Sequence, residues 1–494
     1  MENKKVYSNG LIYLCSSVLT QSINLILIPL YTHNLSQELY GQYDLIISVQ
    51  QLLALAITLG VYSGMIRFFN EVEDPNQLKN TTMTFSMLWG GVCIVLALLL
   101  NPLLHPLMFR ALPEAHFFIP CIVISSVFVC LNTIYSSHYA MKFNALGSSA
   151  VQFSAILFTL LYALFFFLVM DMGILGILLS QMLGNMTVFI FMFIKDLPKF
   201  KFKIVKKEID MMLRYGFGLI LGDASSWILT LSDRFLIKGY MNLSSVAVYS
   251  VGYKIGMLIN PVFINPFASV FTPFKYKVYN EPDGAARIGK MFRMYNFIGW
   301  FCVLGLSLFA DIAIKLVATA EYQAADYLVP IIAFSYFLSG AIIFYSLGLH
   351  IANKMKLYSS IIVFASLVNL GVNLILIPIM GIYGAAISTV IAYIAANGVF
   401  YYFGSKYYAL GFGWLYPYKY LVIFCPLYAI YFVCHHLVGH VSIEILVNVV
   451  LCMAYIGMCI MFKFISMEEV RFVLSRVRWR KKNKMAVEGV HSET

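Results

Sequence analysis

The sequence predicts an all-α, polytopic membrane protein of about fourteen transmembrane helices, and three observations predict it. Hydrophobic residues fill 61% of the 494 positions and charged residues only 12%, about half the ~25% charge of a soluble chain. No soluble fold has interior enough for that apolar surface, and the mean hydropathy of +0.82 agrees. Apolar windows of about 20 residues recur along the chain, parted by polar or turn-rich breaks. Lysine and arginine concentrate on alternate breaks, as the positive-inside rule requires.

The first window, Leu11 to Tyr31, is too long for a signal-peptide core and lacks an A-x-A cleavage pattern. It reads as a retained first span. The spans then follow at 10–31, 43–66, 81–101, 117–138, 149–170, 172–194, 215–238, 245–268, 294–318, 328–350, 357–379, 382–404, 416–437 and 441–465. With the N-terminus inside, cytoplasmic segments receive 29 of the 34 Lys and Arg. External segments keep Arg110, Lys238 and Lys315, while Arg234 and Lys254 fall inside spans. Both termini are then expected to be cytoplasmic. The net charge of +11 and the tail "RVRWRKKNK" suit contact with anionic lipid, so nucleic acid is not an expected partner. All nine cysteines lie in apolar stretches without a C-x-x-C pair, and read as small buried hydrophobes rather than metal ligands.

The chain also repeats itself. "NLSQELYGQY" (34–43) matches "NLSSVAVYSV" (242–251), and "GILGILLS" (173–180) matches "GIYGAAIS" (381–388), both at an offset of 208. Arg67 corresponds in the same way to Lys275. A repeat of six spans keeps both halves in one orientation, which predicts a pseudo-two-fold axis along the membrane normal with a cleft between the halves. The expected layout is a six-helix bundle over 1–200, a basic linker 201–214, a second bundle over 215–406, two added helices over 407–465 and a basic tail 466–494. Two matching bundles suit alternating access, and the short external loops leave no room for a catalytic domain.

Three stretches carry a family resemblance. "NLSQELYGQYDLI" with "LGVYSGMIRFF", "SDRFLIKGYMNLSSVAVYSVGYKIG" (232–256) and "VNLGVNLILIPIMGIYGAAISTVIAYI" (368–394) resemble the polysaccharide-biosynthesis flippases. Those flippases share a superfamily with MATE multidrug exporters and lipid II flippases. The resemblance implies transfer of undecaprenyl-pyrophosphate-linked oligosaccharide across a bacterial cytoplasmic (inner) membrane. It also implies membrane lipids, a glycan polymerase and glycosyltransferases as candidate partners. Span one has no acid where many MATE exporters hold their cation, and no arginine pattern of the lipid II flippases.

The charges inside spans are the candidate site. Arg234 and Lys254, read as lying in the outer half of consecutive spans, are expected to attract the pyrophosphate. Arg67 and Lys275 are the candidate cytoplasmic counterpart. Asp223 and Asp233 are expected to balance these cations in the absence of substrate, or to couple an ion. Asp233 and Arg234, about 100° apart on a helix, are expected to have different partners. The bland alternative has Asp233 neutralising Lys254, Arg234 snorkelling to headgroups, and Arg67 and Lys275 as ordinary anchors. "NPVFINPF" places Pro261 and Pro266 in span eight as gating candidates, with Pro29 in span one. Asn369 and Asn373 read as interhelical glue. No cofactor or metal is expected; an H⁺ or Na⁺ gradient is the candidate driving force. A cation exporter is the rival transporter, although basic residues within the membrane match the acids in number. A glycan enzyme is disfavoured: His435 and His436 have no acid partner nearby in sequence, and no H-x-x-x-D constellation is present.

Overall fold

The computed structural model describes residues 2–108, 114–437 and 440–464, without the side chains of residues 2–11, 14, 15, 18 and 106–108. Arg110 and the expected tail 466–494 lie outside the described residues. Among the described residues the fold is helical, with no strand. In order, the helices are α1 (Glu2–Asn34), α2 (Gln37–Thr58), α3 (Val61–Phe68), α4 (Pro75–Met108), α5 (Phe118–Met141), α6 (Ala145–Ala163) and α7 (Gly173–Asp196). Then come α8 (Lys206–Leu231), α9 (Asp233–Tyr240), α10 (Leu243–Gly256), α11 (Asn265–Val278), α12 (Gly284–Leu308) and α13 (Ala310–Val317). The chain continues through α14 (Leu328–Tyr345), α15 (Leu347–Ile351), α16 (Met355–Met380), α17 (Ile382–Ser405), α18 (Leu421–Leu437) and α19 (Val441–Met461).

Among the described residues, eleven helices are long and apolar enough to cross a membrane, or twelve when the bent pair α2–α3 is one span. The expected count of fourteen is not confirmed. Two expected spans fall outside the twelve. The first lies in α1, whose early side chains are not described. The seventh is interrupted at Ser232, between α8 and α9, and α8 opens on the polar run Lys206 to Arg214. The bend of 53° between α2 and α3 turns on Leu59 and Gly60, both left-handed (φ 45° and 65°). Gly60 is needed there twice over, since a Cβ on it would lie 2.6 Å from the Gly216 Cα of α8.

The chain forms two compact units. The first comprises residues 1–254, 313–328 and 355–396. Within it α4 to α7 pack on one another, α3 lies along α8, and α16 packs on α8 and α9. Glycine sets the closest approaches: a Cβ on Gly64 would strike Met212 of α8, and one on Gly41 would lie 2.0 Å from the Leu243 carbonyl of α10. The Trp227 indole, donating to the Ser48 carbonyl at 2.9 Å, pins α8 to α2.

The second unit comprises residues 255–312, 329–354 and 397–494. Its interior is aromatic, built from Phe292, Tyr295, Trp300, Phe337 and Phe344. Asn448 donates to the Leu308 carbonyl at 2.7 Å and Tyr455 to the Phe297 carbonyl at 2.9 Å, tying α19 to α12.

The offset of 208 is written in the backbone as well as in the letters. Gly173 and Gly381 both open a helix with positive φ, 52° and 58°. Seven residues on, Ser180 and Ser388 are both fully buried and both donate to the carbonyl four residues back. The expectation that the cysteines are buried holds for Cys121, Cys130 and Cys459, whereas Cys425 is exposed.

Candidate functional site

The site begins where α2 crosses α10. Gly41 lets the two backbones meet at Leu243 and Ala247, and one helical turn further along α2 stands Asp44. Ser250 and Lys254, one and two turns beyond Ala247, face it. Ser250 donates its hydroxyl to Asp44 Oδ2, and Lys254 Nζ lies 3.2 Å from Asp44 Oδ1. From α9, Arg234 Nε donates to Asp44 Oδ2 at 2.6 Å. Arg234 Nη1 reaches Asp233 Oδ1 at 3.1 Å and the Thr230 carbonyl at 2.9 Å. Asp233 Oδ1 also accepts the Arg234 backbone N–H at 2.9 Å, and its Oδ2 takes the Tyr249 hydroxyl. Two carboxylates and two cations therefore close on one another with no net charge.

Tyrosine walls this cluster. The Arg234 guanidinium lies 4.5 Å from the Tyr253 ring centroid and 5.6 Å from that of Tyr249. The Lys254 ammonium lies 4.8 Å from the Tyr40 ring and 5.9 Å from Tyr43, and donates to the Tyr40 hydroxyl at 2.8 Å. Such faces attract cations, more strongly when water is excluded. Water is excluded unevenly. The side chains of Arg234, Asp44 and Asp233 are 4%, 6% and 2% exposed, but that of Lys254 is 28% exposed. The lysine keeps surface uncovered by protein; the arginine is spent on the two aspartates.

Two expectations about these residues are corrected. Asp233 and Arg234 do pair, because at the start of α9 the aspartate folds back over the first turn instead of projecting from a continuous helix. Nor does Asp233 neutralise Lys254 while Arg234 snorkels: Asp44, at the very edge of its expected span, holds both cations. Asp223 is exposed on α8 and makes no ion pair among the described residues, so it does not balance them. Sequence reasoning missed Asp44. The available signal was a lone acid one residue inside an apolar window, framed by Tyr40 and Tyr43.

The remaining candidates lie elsewhere. Arg67 is exposed in the last turn of α3, paired with Glu71 and 5.2 Å from the Phe68 ring. Lys275, in the second unit, is buried, with its ammonium 3.5 Å from the Ile343 carbonyl and 5.2 Å from the Tyr276 ring. Pro261 sits in a π-helical segment, Asn260–Ile264, and Pro266 opens α11. Such segments interrupt the regular ladder where a helix bends. Pro29 lies inside α1. Asn369 donates to Thr389 of α17 at 3.3 Å, whereas Asn373 donates to Asn369 on its own helix at 3.0 Å. His435 of α18 does have an acid partner: its Nδ1 lies 3.0 Å from Oε1 of Glu444 in α19. Asp311 joins them, with one ligand atom from each residue within 4.8 Å of the others.

The family profile described as polysaccharide biosynthesis protein matches residues 6–276. The chain belongs to that family. The matched stretch contains all four charged residues of the cluster. Among solved structures, this polysaccharide-biosynthesis protein is similar to the lipid II flippase MurJ in an inward closed conformation, at TM-score 0.70 and 15% identity over 93% of this chain and 100% of that one. A multidrug resistance MATE transporter of the MOP superfamily, inward-facing, aligns at TM-score 0.63 and 17% identity over 80% and 94% of the two chains. A MOP-superfamily transporter of Pyrococcus furiosus, noted for the reverse polarity of its binding pocket, aligns at TM-score 0.61 and 16% identity over the same shares. At these identities the likeness is one of fold. An uncharacterized membrane protein of Methanocaldococcus jannaschii is 27% identical over 209 residues, and the match spans 40% of each chain.

Proposed function

We propose that this multi-pass membrane protein is a flippase. It carries polyprenyl-pyrophosphate-linked oligosaccharide from the cytoplasmic to the outer leaflet by alternating access, for surface polysaccharide assembly. The supporting observation is the neutral cluster of Asp44, Asp233, Arg234 and Lys254, which holds two cations deep among helices yet leaves one ammonium accessible. Buried charges persist in membrane proteins where they are paired or line a polar path. A pyrophosphate approaching Lys254 competes with Asp44 for the same donor. Substrate binding then loosens one contact between α2 and α10, a differential interaction of the kind that shifts a conformational equilibrium. Arg234 acts as the fixed counter-charge to Asp44 while the lysine is engaged.

Asp223, exposed and outside any ion pair among the described residues, is the better candidate of the two aspartates for coupling to an H⁺ or Na⁺ gradient. Asp233 is committed to Arg234 and Tyr249. Chemistry on the glycan is not part of this reading; the protein is a transporter, with glycosyltransferases supplying its substrate and a polymerase consuming the product. It sits in the cytoplasmic membrane with both termini inside.

The deciding experiment deletes the gene and complements with wild type or Lys254→Met, at matched membrane levels. Polyprenyl-linked glycan retained on the inner side and surface polysaccharide are both measured. Wild type restores the surface, whereas Lys254→Met leaves glycan trapped. Restoration by both removes the lysine from the mechanism. Unchanged glycan export on deletion, with new sensitivity to cationic drugs, replaces the flippase with an exporter.

A further inference from the structure

A second charged site, remote in sequence from Lys254, lies within the first unit where the ends of α4, α5 and α7 meet the α7–α8 linker. These segments enclose a cavity of about 570 Å³, within the ~300–1,000 Å³ of small-molecule sites. Five lysines line it, against the two carboxylates of Asp74 and Asp196. Three of them come from "KFKFK" (199–203), a non-helical stretch in which alternate side chains share a side. Lys199, Lys201 and Lys203 accordingly line the cavity, while Phe200 packs at 5.2 Å from Phe193. All three lysines are exposed and outside any ion pair among the described residues.

The floor is built rather than incidental. Lys79 is 4% exposed and paired with Asp196, which leaves ammonium donors over. His138 and Asn80 are each 6% exposed. The His138 Nδ1 and Asn80 Oδ1 atoms are sealed from solvent, so the lysine ammoniums supply the charged donors of the cavity. At the rim, Lys142 donates to Asn76 Oδ1 at 2.8 Å. Its pKa is pulled below the ordinary lysine value by burial and then by the neighbouring Lys79 charge. Cations crowded this way are relieved by an anion.

We propose that this cavity binds a phosphate-bearing anion, with a diphosphate the best match to its five lysines. The cavity supplies separate point charges rather than a planar fork, which suits phosphate oxygens in more than one orientation. The site goes beyond the transport reading and does not depend on Lys254.

Isothermal titration of the full-length protein in a non-ionic detergent with inorganic pyrophosphate tests the proposal. Wild type binds saturably. A Lys142→Gln/Lys201→Gln double variant, which keeps the Lys79–Asp196 pair and hence the floor, binds about tenfold or more weakly. A control with the same charge change outside the cavity, Lys277→Gln/Lys356→Gln, binds as wild type. Absence of saturable binding, or equal weakening in both double variants, overturns the site. Phosphatidylglycerol added to the micelles identifies the source of the anion. Displacement of pyrophosphate supports a bilayer headgroup as the resident phosphate, and lack of displacement supports a free or substrate-borne diphosphate.

Discussion

At the scale of single residues, Asp44 is the residue on which the cluster turns, because it accepts from Arg234, Lys254 and Ser250 at once. Replacing it by alanine leaves the 4% exposed guanidinium with Asp233 as its one carboxylate partner among the described residues. Removing one partner of a buried pair costs about 3–5 kcal/mol. Asp44→Ala is therefore expected to lower the thermal midpoint in detergent well below that of Lys254→Met, whose charge is partly solvated. Equal midpoints in the two variants would falsify that ranking. Arg234→Lys is expected to behave like a loss and not a conservative change. Nε serves one aspartate and Nη1 the other, and an ammonium has no such fork. Asp44 was missed, whereas Asp233, Arg234 and Lys254 were read from the sequence, since acids and bases are rare in apolar windows. Their pairing was not: Asp44 and Arg234 are 190 residues apart, and the fold-back of Asp233 depends on an interruption at Ser232 that no hydropathy window reveals.

At the scale of elements, contact is governed by where backbones approach. Gly41 has no room for a Cβ against the Leu243 carbonyl, 2.0 Å away. Gly41→Val therefore separates α2 from α10, pulls Asp44 off Lys254, and is expected to abolish recovery of folded protein from the membrane. Gly91 in α4 meets nothing within 4 Å of a built Cβ. There, Gly91→Ala relieves the entropy penalty of a helical glycine, about 0.5–1 kcal/mol. It is expected to raise the thermal midpoint slightly, and a lowered one would show that the open space is needed. The prolines of α10–α11 make a different forecast. Pro261→Ala with Pro266→Ala restores two backbone donors, which is expected to regularise the π-helical segment and slow transport while leaving folded yield intact. Transport at the wild-type rate would remove the bend from the cycle. Helix existence was read correctly in these regions from the length of the apolar windows. The interruption at Asn260–Ile264 falls on the proline motif singled out in the sequence, whereas the bend at Leu59–Gly60 was not located, since it depends on the approach of α8.

At the scale of the whole molecule, the weakest of the expected crossings is also the one the charge pattern most requires. The α8–α9 segment is outside the set of eleven or twelve apolar spans and carries Asp223, Asp233 and Arg234 between the polar run Lys206 to Arg214 and Lys238 near its other end. If it failed to cross, every later loop would invert, and Lys275, Lys277, Arg287, Lys290 and Arg293 would face outward against the positive-inside rule. Asp233 and Arg234 are cancelled within the protein: Asp233 pairs with Arg234, and Arg234 with Asp44. Hydropathy scores these residues as though lipid had to solvate them, whereas Asp44 and Tyr249 do so. The segment is therefore expected to cross, held by α2, α3 and α16 instead of by its own apolarity. Single cysteines at Lys201 and Lys238, introduced into a cysteine-free background, flank it. Lys238→Cys should react with an impermeant maleimide in intact cells, and Lys201→Cys only after permeabilisation. Labelling of both from the same side would mean that α8–α9 returns to the face it left, and the orientation of everything after it would have to be reversed.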